Sequence, residues 1–280
     1  MLLASLISVL IVLTISFTLL KKRDTIVIYT INIFVPTLVL TIWQAVFEGE
    51  IYATYYGLKS NRLMRLTVDA VSFFGSTMSI IFHIMSVLLL LSIYVSYRCP
   101  LIHSRLFRLP NWIKYQIIID LFAVLCSLFV IFSYKFIDAA LSAICLSIIL
   151  FTTFIITIAI SFMTLYCCIE RYYRGKMWKK QKNNELILLI STVTCVTPPN
   201  VVDIFGFAIS ASVAMILLFP NCEWAANLLV FATKCEVYCV RVRTVVIAAS
   251  TLIALPVYRK SLSNIIRCRL PHGIKAVKHI

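Results

Sequence analysis

Seven apolar stretches, each long enough to cross a bilayer, leave this chain few folds to choose from. They cover residues 1–20, 25–47, 66–97, 111–134, 139–168, 186–219 and 225–256, and about 20 apolar residues suffice for a transmembrane helix. None alternates polar and apolar residues with the period of two that a lipid-facing β-strand needs. A backbone in hydrocarbon can otherwise satisfy its N–H and C=O groups only inside helices. With 61% hydrophobic and 13% charged residues over 280 positions, the chain holds more apolar surface than a water-soluble domain of that size can bury. The expected class is therefore all-α: a polytopic membrane protein, a bundle of seven transmembrane helices over residues 1–258, followed by a basic tail at 259–280. The run 186–219 is longer than one span needs, and 225–256 carries Lys234, Glu236, Arg241 and Arg243 in its first half. Each is read as one long tilted helix.

Lys and Arg collect on the cytoplasmic side of membrane proteins. With the N-terminus outside, 19 of the 26 basic residues fall on inner segments, in "KKRD", in 98–114, in 169–185 and in the tail. The expected orientation is N-terminus outside and C-terminus inside. The first apolar run has no basic region before it and no small-residue cleavage site after it, so it reads as a helix that stays in the membrane. The net charge of +15 is spread over four segments at one membrane face. That distribution suits a bilayer with an anionic inner leaflet and not a nucleic acid.

Several stretches carry motif-like residues at helix ends. At the end of the third span Tyr94 is followed by "VSYRC", then Pro100 and Leu101; the sixth span holds Cys195, Val196, Thr197, Pro198 and Pro199; the seventh ends "LIALPVY", with Pro256 and Tyr258. Together with the layout, these resemble G-protein-coupled receptors. The first is similar to the Asp-Arg-Tyr and Pro-Leu pattern of the rhodopsin and olfactory type, without its acid and arginine. The second is similar to Cys-Trp-x-Pro. The third is similar to Asn-Pro-x-x-Tyr, shortened by one residue and with leucine for asparagine. Loose forms of all three, in a short chain rich in Ile, Phe and Tyr, resemble the nematode serpentine chemoreceptors.

That resemblance implies a chemosensory receptor in the plasma membrane, of sensory-neuron cilia, that couples a small-molecule ligand to a heterotrimeric G protein. The G-protein-facing residues it implies are Tyr94, Arg98, Pro100, Leu101, Arg171, Arg174, Lys179 and Lys180. Pro198, Pro199 and Pro256 would act as hinges, the first two allowing the inner half of the sixth helix to swing outward; a static kink is the alternative.

Ionisable side chains at membrane depth are functional candidates by default. Asp69, Asp203 and Arg241 are expected to converge in an outward-facing cavity lined by Ser72, Phe73, Ser76 and Tyr238, which would bind the small molecule. Arg241 and Arg243 lie two residues apart and cannot both face inward; either could instead snorkel to headgroups. His83 is expected to hydrogen-bond a neighbouring helix, and Asp120 to lie one or two turns inside the cytoplasmic face. "SFFGSTMS", with Gly75 at its centre, reads as a close-packing surface for a neighbouring helix.

Among the ten cysteines, Cys222 can pair with Cys235 or Cys239 on the oxidising side, or all three can stay free thiols. Cys167, Cys168 and Cys268 lie at the inner boundary, as palmitoylation sites or as ordinary boundary cysteines. No enzyme motif, phosphate loop or metal-ligand spacing occurs, so neither catalysis nor a cofactor or metal is expected. The competing reading is a seven-helix ligand-gated channel of the insect odorant or gustatory receptor type, which inserts with its N-terminus inside. A transporter would show repeated halves, and none are visible.

Overall fold

The computed structural model describes residues 2–19, 24–56, 61–133, 136, 139–174, 180–219 and 221–266. Every element among them is an α-helix: α1 (Leu2–Leu19), α2 (Thr25–Tyr55), α3 (Asn61–Arg98), α4 (Pro100–Leu106), α5 (Leu109–Phe132), α6 (Ala139–Arg174), α7 (Lys180–Val202), α8 (Ile204–Leu218), α9 (Glu223–Ala254) and α10 (Pro256–Ile266). Five of them contain stretches long and apolar enough to cross a membrane, and the number rises to seven if each of two bent helix pairs is one span. The all-helical, membrane-embedded class is thus present. The helices are longer than the apolar runs, since α2 continues to Tyr55 and α6 to Arg174.

Proline sets the boundaries. Cys99 (φ −136°, ψ 69°) precedes Pro100, and Leu255 (φ −76°, ψ 120°) precedes Pro256; ring sterics push the residue before proline out of the helical region. Each proline then opens a new helix at a position where its missing N–H costs nothing. The segment after Arg98, which the sequence presents only as a polar break, accordingly contains the short helix α4. At Leu255 the chain turns by 90° between the C-terminal part of α9 and α10.

The single helix expected over 186–219 is two helices. α7 runs through Pro198 and Pro199, breaks at Asp203, and meets α8 at 43°. Two consecutive prolines remove two backbone donors from the helical ladder, and α7 ends one turn later at Asp203, whose N–H still makes the helical bond to the Pro199 carbonyl at 3.1 Å.

α3 is the hub, packing against α2, α4, α5, α6 and α7. Met78, Phe82, Met85, Leu89, Ile93 and Tyr97 are all buried, and their spacing of three and four residues draws one stripe along the helix. Four buried threonines are satisfied within their own helices: Thr30, Thr37, Thr41 and Thr251 each donate to the carbonyl four residues earlier. This is how apolar helices carry threonine without an orphaned polar group. Gly75 does not mark the close approach expected of it, because a Cβ added there would meet nothing within 4 Å.

Candidate functional site

The most polar place inside the bundle is the break between α7 and α8. Asp203 stands where an N-cap for α8 would stand, a position that favours aspartate because the carboxylate can bond the helix's free N–H groups. Its side chain makes no such cap. The carboxylate points instead to α9 and α3: Oδ2 lies 2.7 Å from Nη2 of Arg243 and 3.2 Å from Nε2 of His83. The side chains of Asp203 and Arg243 are only 10% and 16% exposed and that of His83 is 5% exposed, so the charges meet away from water.

The surrounding groups fix this geometry. Asn200, one turn before Asp203 on α7, donates through Nδ2 to the Val196 carbonyl at 2.8 Å, which turns its Oδ1 toward the His83 ring, 2.9 Å from Nδ1. An amide oxygen can only accept, so His83 Nδ1 carries a proton. The other ring nitrogen faces the Asp203 carboxylate. Ser79, one turn before His83, accepts from Arg243 Nη2 at 3.4 Å, and the guanidinium carbon lies 5.9 Å from the centre of the Phe82 ring. α3, the α7–α8 break and α9 are thereby tied at one point. The adjoining void, lined by His83, Phe154, Asn200, Asp203, Ile204 and Phe207, measures about 10 Å³, room for about one water. The cluster is a packed latch and leaves no space for an organic ligand.

The expected ligand cavity is only partly assembled. Asp203 is at the latch, but Asp69 lies 14 residues before His83 on the same helix, about 21 Å along its axis, so the two carboxylates do not converge. Ser72 and Tyr238 are exposed on the outside of their helices, Ser76 is partly buried, and Phe73 packs edge-on against Phe74 at 5.3 Å. Arg243 of α9 turns inward, with a buried ion pair in place of snorkelling; the side chain of Arg241 lies outside the described residues. His83 hydrogen-bonds a neighbouring helix, as its position in a span suggested.

At the other end of α3 a second cavity, of about 150 Å³, is lined by residues that include Asp24, Ser92, Ser96, His103 and Leu188. It lies where the start of α2, the end of α3, α4 and α7 meet, and on its wall Ser92 Oγ lies 3.3 Å from His103 Nε2. Among the residues expected on this face, Arg98 reaches Glu170 of α6 at 3.3 Å and lies 6.0 Å from the Tyr166 ring. Tyr94 is partly buried against Leu90, Ile160 and Val196. Pro100 starts α4, and Leu101 is 80% exposed. Lys179 lies outside the described residues, as do the side chains of Arg171, Arg174 and Lys180.

The proline positions hold both bends. Pro199 is buried and Pro198 exposed one turn before Asp203, and Pro256 follows the 90° turn. Two residues on, the buried Tyr258 hydroxyl meets Ser16 Oγ of α1 at 2.7 Å. The cysteine expectations need correction. Cys222 caps α9, whereas Cys235 and Cys239 lie 13 and 17 residues along the sequence, about 20 Å or more of helix, far beyond the 7 Å that a bridge from Cys222 can span. Cys167 is fully buried, so its thiol is not presented for acylation. The Cys168 side chain and Cys268 lie outside the described residues.

Asn200 and Ser79 were not among the sequence candidates. Their signal was periodicity: Asn200 and Asp203 are three apart and Ser79 and His83 four apart, which places each pair on one helix face. Comparison with protein-family models and with curated proteins finds no match to the chain.

Proposed function

We propose that this protein is a seven-helix, G-protein-coupled chemosensory receptor of the plasma membrane, in which the α7–α8 break is the moving part. The observation that carries this reading is the Asp203 carboxylate, which withholds itself from capping α8 and joins α3 and α9 at a proline-weakened bend. Buried charges held by partners on three elements have few arrangements in which all are satisfied, so such a junction suits switching between discrete states. A small molecule would enter from the outer half, between α3, α8 and α9. By binding more tightly to the state with the latch rearranged, it would shift the population toward that state. The inner half of α7 would then move relative to α3 and widen the 150 Å³ cavity, into which a G-protein helix would enter. The motif resemblances around Tyr94, Pro198 and Tyr258 support the same reading, as does the basic-residue asymmetry, which favours an outside N-terminus. Sensory-neuron cilia are the expected site.

The test is accessibility of tags on both termini in intact cells, followed by a G-protein reporter screen with volatile and water-soluble compounds. An outside N-terminus, an inside C-terminus and a ligand response abolished by Asp203→Asn are expected. An inside N-terminus overturns the reading and favours the channel type, for which ligand-evoked current is the assay.

A further inference from the structure

The buried ring of His83 is held between two acceptors. The Asn200 amide oxygen lies 2.9 Å from Nδ1, and the Asp203 carboxylate lies 3.2 Å from Nε2. Asn200 cannot turn to offer its amide protons instead: Nδ2 is committed to the Val196 carbonyl at 2.8 Å, and a flip would set two oxygens against each other. A neutral imidazole has one N–H and one lone pair, and only the imidazolium donates from both nitrogens. The neutral ring, with its proton on Nδ1, turns a lone pair toward Asp203, whereas the charged ring satisfies both neighbours. At 3.2 Å no water fits between Nε2 and Oδ2, so a bridging water has to wait until the two atoms part.

Among the described residues, the charged groups facing the ring are Asp203, at the α7–α8 break, and Arg243 of α9, which shares the same carboxylate oxygen at 2.7 Å. The other neighbours do not titrate: Asn200 of α7, Phe154 of α6, Ile204 and Phe207 of α8, and Phe82 of α3, edge-on at 5.6 Å. Arg243 keeps its bond to Asp203 in either form of the ring. The Nε2 proton therefore bears on one link alone, that between α3 and the start of α8.

We propose that the latch is gated by a proton: the imidazolium of His83 holds Asp203 to α3, and loss of the Nε2 proton lets the start of α8 part from α3 while Asn200 keeps α7 in place. The adjoining void of about 10 Å³ supplies the water that bridges the lengthened contact. The closed latch binds the proton more tightly than the open one, so lowering the pH fills the closed state and raising it empties that state. The relevant range is about pH 5–8, in which imidazoles change charge. Such gating would operate whether or not the chain couples to a G protein.

The experiment uses the full chain in lipid nanodiscs. A variant with His103, His272 and His279 changed to glutamine leaves His83 as the only imidazole, and nitrogen NMR then reads its ring directly. From about pH 8 to pH 5 the ring is expected to pass from protonation at Nδ1 alone to protonation at both nitrogens. Spin labels carried by unnatural amino acids at the exposed Val68 of α3 and Leu217 of α8 should approach reversibly, by on the order of 2 Å, over the same range. His83→Gln and Asp203→Asn should each abolish that change. A ring that keeps one charge state throughout, a distance that ignores its titration, or a response that survives His83→Gln would each overturn the proposal. If His83→Gln fails to fold, the single-histidine chain decides, because ring and distance must then change together.

Discussion

Arg243 and Asp203 form the bundle's central ion pair, with Nη2 of one 2.7 Å from Oδ2 of the other and both side chains largely buried. Removing one partner leaves the other charge buried without compensation. Arg243→Met is therefore expected to lower stability by about 3–5 kcal/mol, read as a fall in the thermal unfolding midpoint in lipid nanodiscs. The double variant Arg243→Met with Asp203→Leu should lose clearly less than the two single losses added together. Additive losses would mean that the two side chains are not coupled.

The Ser16–Tyr258 contact ties α1 to α10 at 2.7 Å. Tyr258→Phe removes the hydroxyl and keeps the ring, so the expected cost is about 0.5–1.5 kcal/mol. Ser16→Ala should add little once Tyr258 has been changed. Thermal unfolding of the two single variants and the pair measures the coupling; a full second loss in the pair would show that the bond contributes nothing.

Pro199→Ala restores a backbone donor facing the Cys195 carbonyl. The bend at Asp203, 43° in the native chain, should straighten, and with it the latch should be strained. Spin labels on the exposed positions Ile190 of α7 and Leu217 of α8 report this as a lengthened inter-label distance. An unchanged distance would place the cause of the bend in Asp203 and its partners and not in the proline.

Cysteine labelling separates the buried thiol from the accessible one. A membrane-impermeant maleimide should modify Cys222, partly exposed at the cap of α9, and leave the fully buried Cys167 untouched until the protein is denatured. Mapping by mass spectrometry should also find no Cys222 bridge to Cys235 or Cys239. Recovery of such a disulfide would contradict the continuous helix between them.

Much of the architecture is readable in the sequence. The helical class follows from hydrocarbon chemistry alone, and the prolines at 100, 198, 199 and 256 announced where helices start or weaken. The break at Asp203 was not legible, because proline removes a donor without saying where the ladder will yield. The polar site was legible only in fragments. Asp203 and His83 stood out as costly residues in apolar runs, but whether Arg241 or Arg243 turns inward depends on the rotation of α9 about its axis, and no short-range pattern specifies that. Asp69 looked equivalent to Asp203 as a carboxylate in a span, yet the length of α3 separates it from the latch.

The sequence by itself determined that this chain is a bundle of membrane-spanning helices, since about 20 apolar residues in a row have only that way to satisfy their backbone in lipid. Tertiary structure alone decided which polar side chains share a point. His83, Asn200, Asp203 and Arg243 come from three separate parts of the chain, and only the packing of α3, α7 and α9 brings them within hydrogen-bonding and ion-pair distance. The physical reason is that apolar periodicity specifies a helix's buried face without specifying its partner, so the meeting of charges is settled by which helices pack together and at what height.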